Sequence, residues 1–226
     1  MIWGPASPQA SLRDRIARYI SAPLSPVEVR ELPCDVSFRA CPEELEIGSA
    51  RITAAPVAHR GPTLGYRVED VGAALAYIPD HEPALGADLE MLEPEWISGF
   101  GLAQGADLLI HDGQYADDEY AEHLGWGHSA LSHSLTFAQR TEARRTVLFH
   151  HDPLHSDRWL DAHAERAAAA WQARGGAAGT VELAREGARY EVDPATGEFA
   201  LAEEAVAGGV AEDTSVPAPI TSVAGR

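Results

Sequence analysis

Four short apolar runs in this chain each stop at a histidine or an aspartate. Ala54-Ala55-Pro56-Val57-Ala58 stops at His59, and Leu75-Ala76-Tyr77-Ile78-Pro79 stops at Asp80. Leu108-Leu109-Ile110 stops at His111-Asp112, and Val147-Leu148-Phe149 at His150-His151-Asp152. Runs this short, rich in branched residues, suit buried strands. A buried strand fixes the side chain just past its end, and α/β sheets gather ligands at strand ends. One such ending is more often an ordinary loop residue than a ligand. The joint pattern predicts a single polar site, and imidazole with carboxylate suits zinc, manganese or iron. His81, His123, His133, His155 and His163 lack this placement and read as surface or core residues.

The remaining pattern is mixed α/β. Ser11 to Ile20 predicts a helix, with Ser11 as its N-cap and Leu12, Ile16 and Tyr19 at helical spacing. Val27 to Leu32, Val36 to Ala40, Leu45 to Ile47 and Arg51 to Val57 read as strands. Gly65 to Val68 and Ala73 to Ile78 read as a hairpin around Asp70-Val71-Gly72. Pro94 to Gln104, Ser129 to Arg144 and Ser156 to Arg174 read as helices, the last capped by Ser156 and ended by Gly175-Gly176. Ala106 to Ile110 and Thr146 to Phe149 are buried strands. Val181 to Ala184 and Arg189 to Val192 predict a last hairpin. The organisation expected is one domain over residues 1–200 and a disordered tail over 201–226, where large apolar side chains are few.

Composition narrows the partners. The formal charge is −18, and all 17 basic residues are arginine. A long nucleic acid needs clustered positive charge, so it is not expected as a partner; a small phosphodiester is. No apolar run reaches the ~20 residues of a membrane span, and the N-terminus has no signal-peptide pattern. The expected location is cytoplasmic. Cys34 and Cys41 match no zinc spacing and read as free thiols.

Five segments, in order, resemble the phosphodiesterase branch of the metallo-β-lactamase superfamily, which includes ribonuclease Z and cyclic-phosphodiester hydrolases. They are Val57-Ala58-His59 through Gly65-Tyr66-Arg67-Val68, Ala76-Tyr77-Ile78-Pro79-Asp80-His81-Glu82, Ile110-His111-Asp112-Gly113-Gln114-Tyr115, Trp126-Gly127-His128-Ser129 and Leu148-Phe149-His150-His151-Asp152-Pro153. The resemblance covers roughly residues 1 to 195. It implies an αββα sandwich with two divalent ions, zinc foremost and manganese or iron as alternatives. It further implies that His59, Asp80 and His151 are metal ligands, with Asp80 bridging. His128 would donate a proton to the leaving oxygen, steered by Asp112 or His111.

The sequence departs from that family at one place. The family's His-x-His-x-Asp-His loop is absent from these residues, whose first histidine is His59. The fold expected is therefore the larger, C-terminal part of the sandwich, N-terminally truncated, with a weak or inactive site in this chain. Three functions compete: a metal-dependent phosphodiester hydrolase, a non-catalytic remnant or binding module, and a thioester or lactone hydrolase on the same fold. A homo-oligomer is compatible with all three.

Overall fold

The computed structural model describes residues 1–193, 196 and 199–201. It opens with β1 (Ile2–Gly4) and α1 (Leu12–Tyr19), whose cap is Ser11: its hydroxyl oxygen accepts from the Asp14 N–H. The strand expected over Val27 to Leu32 is instead a 3-10 turn over Val29–Glu31. The charged side chains of Glu28, Arg30 and Glu31 bind locally there, and Glu28 and Glu31 cap the turn reciprocally. Then come β2 (Phe38–Ala40), β3 (Glu44–Ile47), β4 (Ala50–Pro56), β5 (Leu64–Asp70) and β6 (Ala73–Ile78). The expected β5–β6 hairpin is present, and its tip uses positive φ at Val71 and Gly72.

The helix expected over Pro94 to Gln104 is split into a 3-10 turn at Pro94–Trp96 and α2 (Phe100–Ala103), with left-handed Gly99 between them. Next are β7 (Leu108–Asp112), α3 (Tyr120–His123), α4 (Leu131–Arg140), β8 (Arg145–Phe149), α5 (Asp157–Ala173) and β9 (Val181–Leu183). The Ser156 hydroxyl oxygen caps α5 by accepting from the Trp159 N–H. The chain's last described pair is β10 (Tyr190–Val192) with β11 (Phe199–Leu201). The expected final hairpin does not form, because β9 joins the main sheet beside β8 and buries Val181 and Leu183 in the core. Leu201 ends β11; the rest of the expected tail lies outside the described residues.

Strands β3 through β9 make one seven-stranded sheet in sequence order. The pairs from β3 to β6 are antiparallel, and those from β6 to β9 parallel. One face carries the core. Ala76 and Ile78 of β6, Leu109 of β7 and Leu148 of β8 pack against Leu102 of α2, Leu131 and Leu135 of α4, and Ala167 and Trp171 of α5. Each fully buried large side chain stabilises the fold by about 1.5–3 kcal/mol. The opposite face is open: Trp3, Cys41, Leu45, Ile52, Tyr66, Val68, Leu75 and Tyr77 line an apolar groove of about 460 Å³. The seven-stranded sheet and the helices on its core face make two layers, and β1 with β2 forms a separate two-stranded parallel sheet, as β10 with β11 forms an antiparallel one. Cys34 and Cys41 are both free thiols. Among the described residues no helix is long and apolar enough to cross a membrane.

Candidate metal centre

The parallel trio β6, β7 and β8 delivers its chain ends to one edge of the sheet. Ile78 is level with His111, and His111 with Leu148, so Asp80, Asp112 and His150 emerge close together. β4 runs antiparallel to β5, which runs antiparallel to β6, so β4 also ends at that edge and delivers His59.

His59, Asp80 and His128 each offer one ligand atom, and the three atoms lie within 4.8 Å of one another. Neighbours orient both imidazoles. The Thr63 hydroxyl donates to the Gly61 carbonyl, so its oxygen is left to accept the His59 Nδ1–H at 2.9 Å. His128 Nδ1–H donates to Asp112 Oδ2 at 2.7 Å. Each ring therefore presents Nε2 to the cluster, the arrangement by which a bound carboxylate or hydroxyl fixes a ligand tautomer. The His59 pKa is lowered, first by burial and then by the His128 charge. Burial of this kind keeps an imidazole neutral, the form that binds a metal.

Asp112 is fully buried and accepts four hydrogen bonds, from His128 Nδ1 and from the N–H groups of His81, Gln114 and Ser129. Four donors compensate a desolvated carboxylate. Ser129 also donates its hydroxyl to the His81 carbonyl at 2.7 Å. This commits Ser129 to the site, and α4 starts two residues later than the expected Ser129 boundary.

Of the two expected steering residues, Asp112 contacts His128 and His111 does not. Adjacent strand residues point to opposite faces, and His111 is turned into the core. Its Nδ1–H donates to the Asp112 carbonyl at 2.8 Å, and its Nε2 therefore accepts from His81 Nδ1–H at 2.9 Å. Its ring stacks on Phe137 at 4.7 Å. Burial holds His111 down to about 4 and lowers His81 as well.

His151 is expected beside Asp80; the ring that approaches Asp80 is that of its neighbour His150, and His151 Nε2 is buried with no hydrogen-bond partner among the described residues. His150 has a left-handed backbone with φ of +61°, which turns the chain after β8. His150 Nε2 lies 3.5 Å from Asp80 Oδ1, and its ring stacks on His128 at 4.8 Å. His151 borders a separate cavity of about 480 Å³ with Asp157, Leu160, Leu183 and Arg185. The sequence placed His150 at this strand end without choosing it, and His81, read as a surface or core residue, is buried. Sequence reasoning did not single out buried Glu82, whose only signal was its position two residues after Asp80.

Comparison with known proteins shows the family and the fold. Residues 1–151 match the family model described as "Beta-lactamase superfamily domain". Ribonuclease Z of Salinibacter ruber is 33% identical over 123 residues, covering 54% of this chain and 32% of the relative. Ribonuclease Z of Natronomonas pharaonis is 25% identical over 181 residues, covering 66% and 59%. The chain thus spans between about a third and three fifths of the length of these curated relatives. A solved diphosphatase of the PhnP family shares the fold with a TM-score of 0.50 at 17% identity, covering 73% of this chain and 53% of that one. With a family model matched over two thirds of its length and a His/Asp cluster gathered at one sheet edge, the chain belongs to the beta-lactamase superfamily.

Proposed function

We propose that this chain carries part of a metal-dependent hydrolase of phosphodiester bonds. The carrying observation is the convergence of His59, Asp80 and His128 at one sheet edge, with both rings oriented so that Nε2 faces the cluster. The donor set fits a divalent ion: the oriented His59 imidazole and the Asp80 carboxylate, with His150 Nε2 3.5 Å from Asp80 Oδ1. His59, Asp80 and His150 are the residues proposed to hold it, zinc foremost, with His150 taking the part first expected of His151. Such an ion supplies Lewis acidity at phosphorus and lowers the pKa of an attacking water.

The chain's own residues supply the rest. His128 is the proposed proton donor to the leaving oxygen. Its Nδ1–H is fixed by Asp112, so its Nε2 is the nitrogen available to the substrate. The same carboxylate faces the positive charge that a proton on Nε2 brings. The relatives are named as ribonucleases, which favours phosphodiesters over thioesters or lactones. The charge of −18 favours a small one over a long polyanion.

Zinc analysis paired with hydrolysis of bis(4-nitrophenyl) phosphate tests the reading, on the 226-residue chain and on one carrying a His-x-His-x-Asp-His segment upstream. Turnover that appears with bound metal supports it. Zinc-loaded protein that leaves the diester intact in both forms would favour a binding module.

A further inference from the structure

Glu82 is completely buried two residues beyond Asp80, and the reaction proposed above makes no use of it. Its carboxylate accepts three hydrogen bonds, all from one segment. The Tyr120 hydroxyl donates to Oε1 at 2.6 Å and the Gly125 N–H to the same oxygen at 2.9 Å. The Gly127 N–H donates to Oε2 at 2.8 Å. All three partners are donors, the pattern that suits an ionised, acceptor-only carboxylate. Burial, and then Glu82 itself, pushes the Tyr120 hydroxyl well above its ordinary value, so it remains a donor. A buried carboxylate is tolerated only where donors surround it. Here they come from the loop ahead of His128, so that loop cannot lift away without stranding the charge.

The other side of Glu82 faces the metal-binding edge. Its own N–H donates to the Ala58 carbonyl at 2.9 Å, immediately before His59. Gly127 sits against the same strand end. Its φ is +100°, and a Cβ there would lie 2.5 Å from His59 Cδ2 and 2.8 Å from the Arg60 nitrogen. The next residue, His128, meets the His59 ring edge-on at 5.1 Å. His128 is therefore held twice: its ring by Asp112, and its main chain through the bond from Gly127 to Glu82.

We propose that Glu82 is a positioning residue, whose buried carboxylate clamps the Tyr120–Gly127 segment against the ends of β4 and β6 and so sets where His128 stands relative to His59 and Asp80. The kinetic consequence rests on the reading of His128 as a proton donor; the geometric claim does not.

Glu82→Gln tests it. The amide is isosteric, yet whichever way it turns, its NH2 group faces the N–H of Gly125 or of Gly127. In the metal-loaded protein, kcat for bis(4-nitrophenyl) phosphate should fall about tenfold, less than the roughly hundredfold that a 1 Å misplacement can cost. KM and zinc content should hold. Two readouts need no turnover: faster deuterium exchange at the Gly125 or Gly127 amide, and a shift of the His128 ring signals in 1H–15N spectra. Tyr120→Phe removes one donor and keeps both amide bonds, so it should give smaller changes of the same sign. It also serves if Glu82→Gln does not fold. Unchanged exchange and ring signals in the variants would overturn the proposal. So would loss of zinc and of thermal stability in step with kcat, the mark of a scaffold role alone. Wild-type protein without turnover in both the 226-residue and the extended form would count against the proposed function, and exchange and ring signals would then decide the role of Glu82.

Discussion

Asp112 Oδ2 lies 2.7 Å from His128 Nδ1, while its other oxygen takes the N–H of Ser129, so one buried carboxylate fixes both the ring and the backbone beyond it. In a metal-loaded protein, His128→Ala is expected to lower kcat about a hundredfold, within the range for general acid catalysis. Zinc content should stay nearly unchanged. Asp112→Asn should lower kcat in the same direction, because its NH2 group then opposes donors. Plasma emission measurement of zinc beside steady-state kinetics checks both. Metal loss in His128→Ala would make His128 a ligand rather than the donor.

Zinc affinity should separate the two neighbouring histidines. His150→Ala is expected to weaken binding at least tenfold, the lower scale for disturbing a metal site. His151→Ala should change it little, since His151 borders the cavity with Asp157 and Arg185. Competitive titration against a chromophoric chelator reads the difference. The reverse order would restore the ligand first expected from the sequence. The 226-residue chain should in any case bind zinc weakly, because of its three proposed ligands only His59 and Asp80 belong to the group whose ligand atoms, among the described residues, lie within 4.8 Å of one another.

Acid should destabilise the fold once pH falls below about 6.5. Burial holds His111 at about 4 against an ordinary value of 6.5, and His81, bonded to it, is also lowered. Both folded-state values lie below the unfolded one, so the unfolded chain binds more protons at acid pH. Their contribution is intact above about 6.5 and is lost as pH falls from there toward about 4. The slope is about 1.4 kcal/mol per pH unit for each histidine kept neutral. Urea unfolding at about pH 7, 6 and 5 reads this, and equal stabilities across that range would show that the pair charges without unfolding.

The open sheet face should make the isolated chain sticky. Ile52, Tyr66, Val68, Leu75 and Tyr77 line its groove, and exposed apolar patches of this kind drive association. The chain should bind an apolar dye such as ANS and sediment faster as its concentration rises. Val68→Lys, which puts a charge in the groove, should reduce both effects. A monomer that binds no dye would show that the face is covered.

The strands carrying the site were legible because each is a short apolar run closed by a polar residue, and α5 because Ser156 and the spacing of its apolar residues agree. The strand expected at Val27 to Leu32 failed because local capping by Glu28 and Glu31 competes with pairing, and sequence shows propensity without showing a partner strand. The final hairpin failed for a related reason: Val181 and Leu183 prefer burial under α5 and beside β8. The positions of His59, Asp80 and Asp112 could be read from the apolar runs before them, and that of His128 from family resemblance alone. That the ring of His150 would be the one to approach Asp80 could not, because this hangs on one left-handed backbone angle. Glu82 was hidden because its partners, Tyr120, Gly125 and Gly127, stand about forty residues further on.

The level pairing of Ile78, His111 and Leu148 across three parallel strands acts as a ruler. Alternation along a strand has a period of two, so a one-residue insertion within β7 ahead of His111 would exchange its faces. The His111 ring would swing out to the mouth of the site, and the Asp112 carboxylate would be driven against Phe137. Residue counts inside β6, β7 and β8 thus carry chemical information of their own. Relatives that keep the His/Asp cluster should tolerate insertions in the intervening loops and resist them within these three strands.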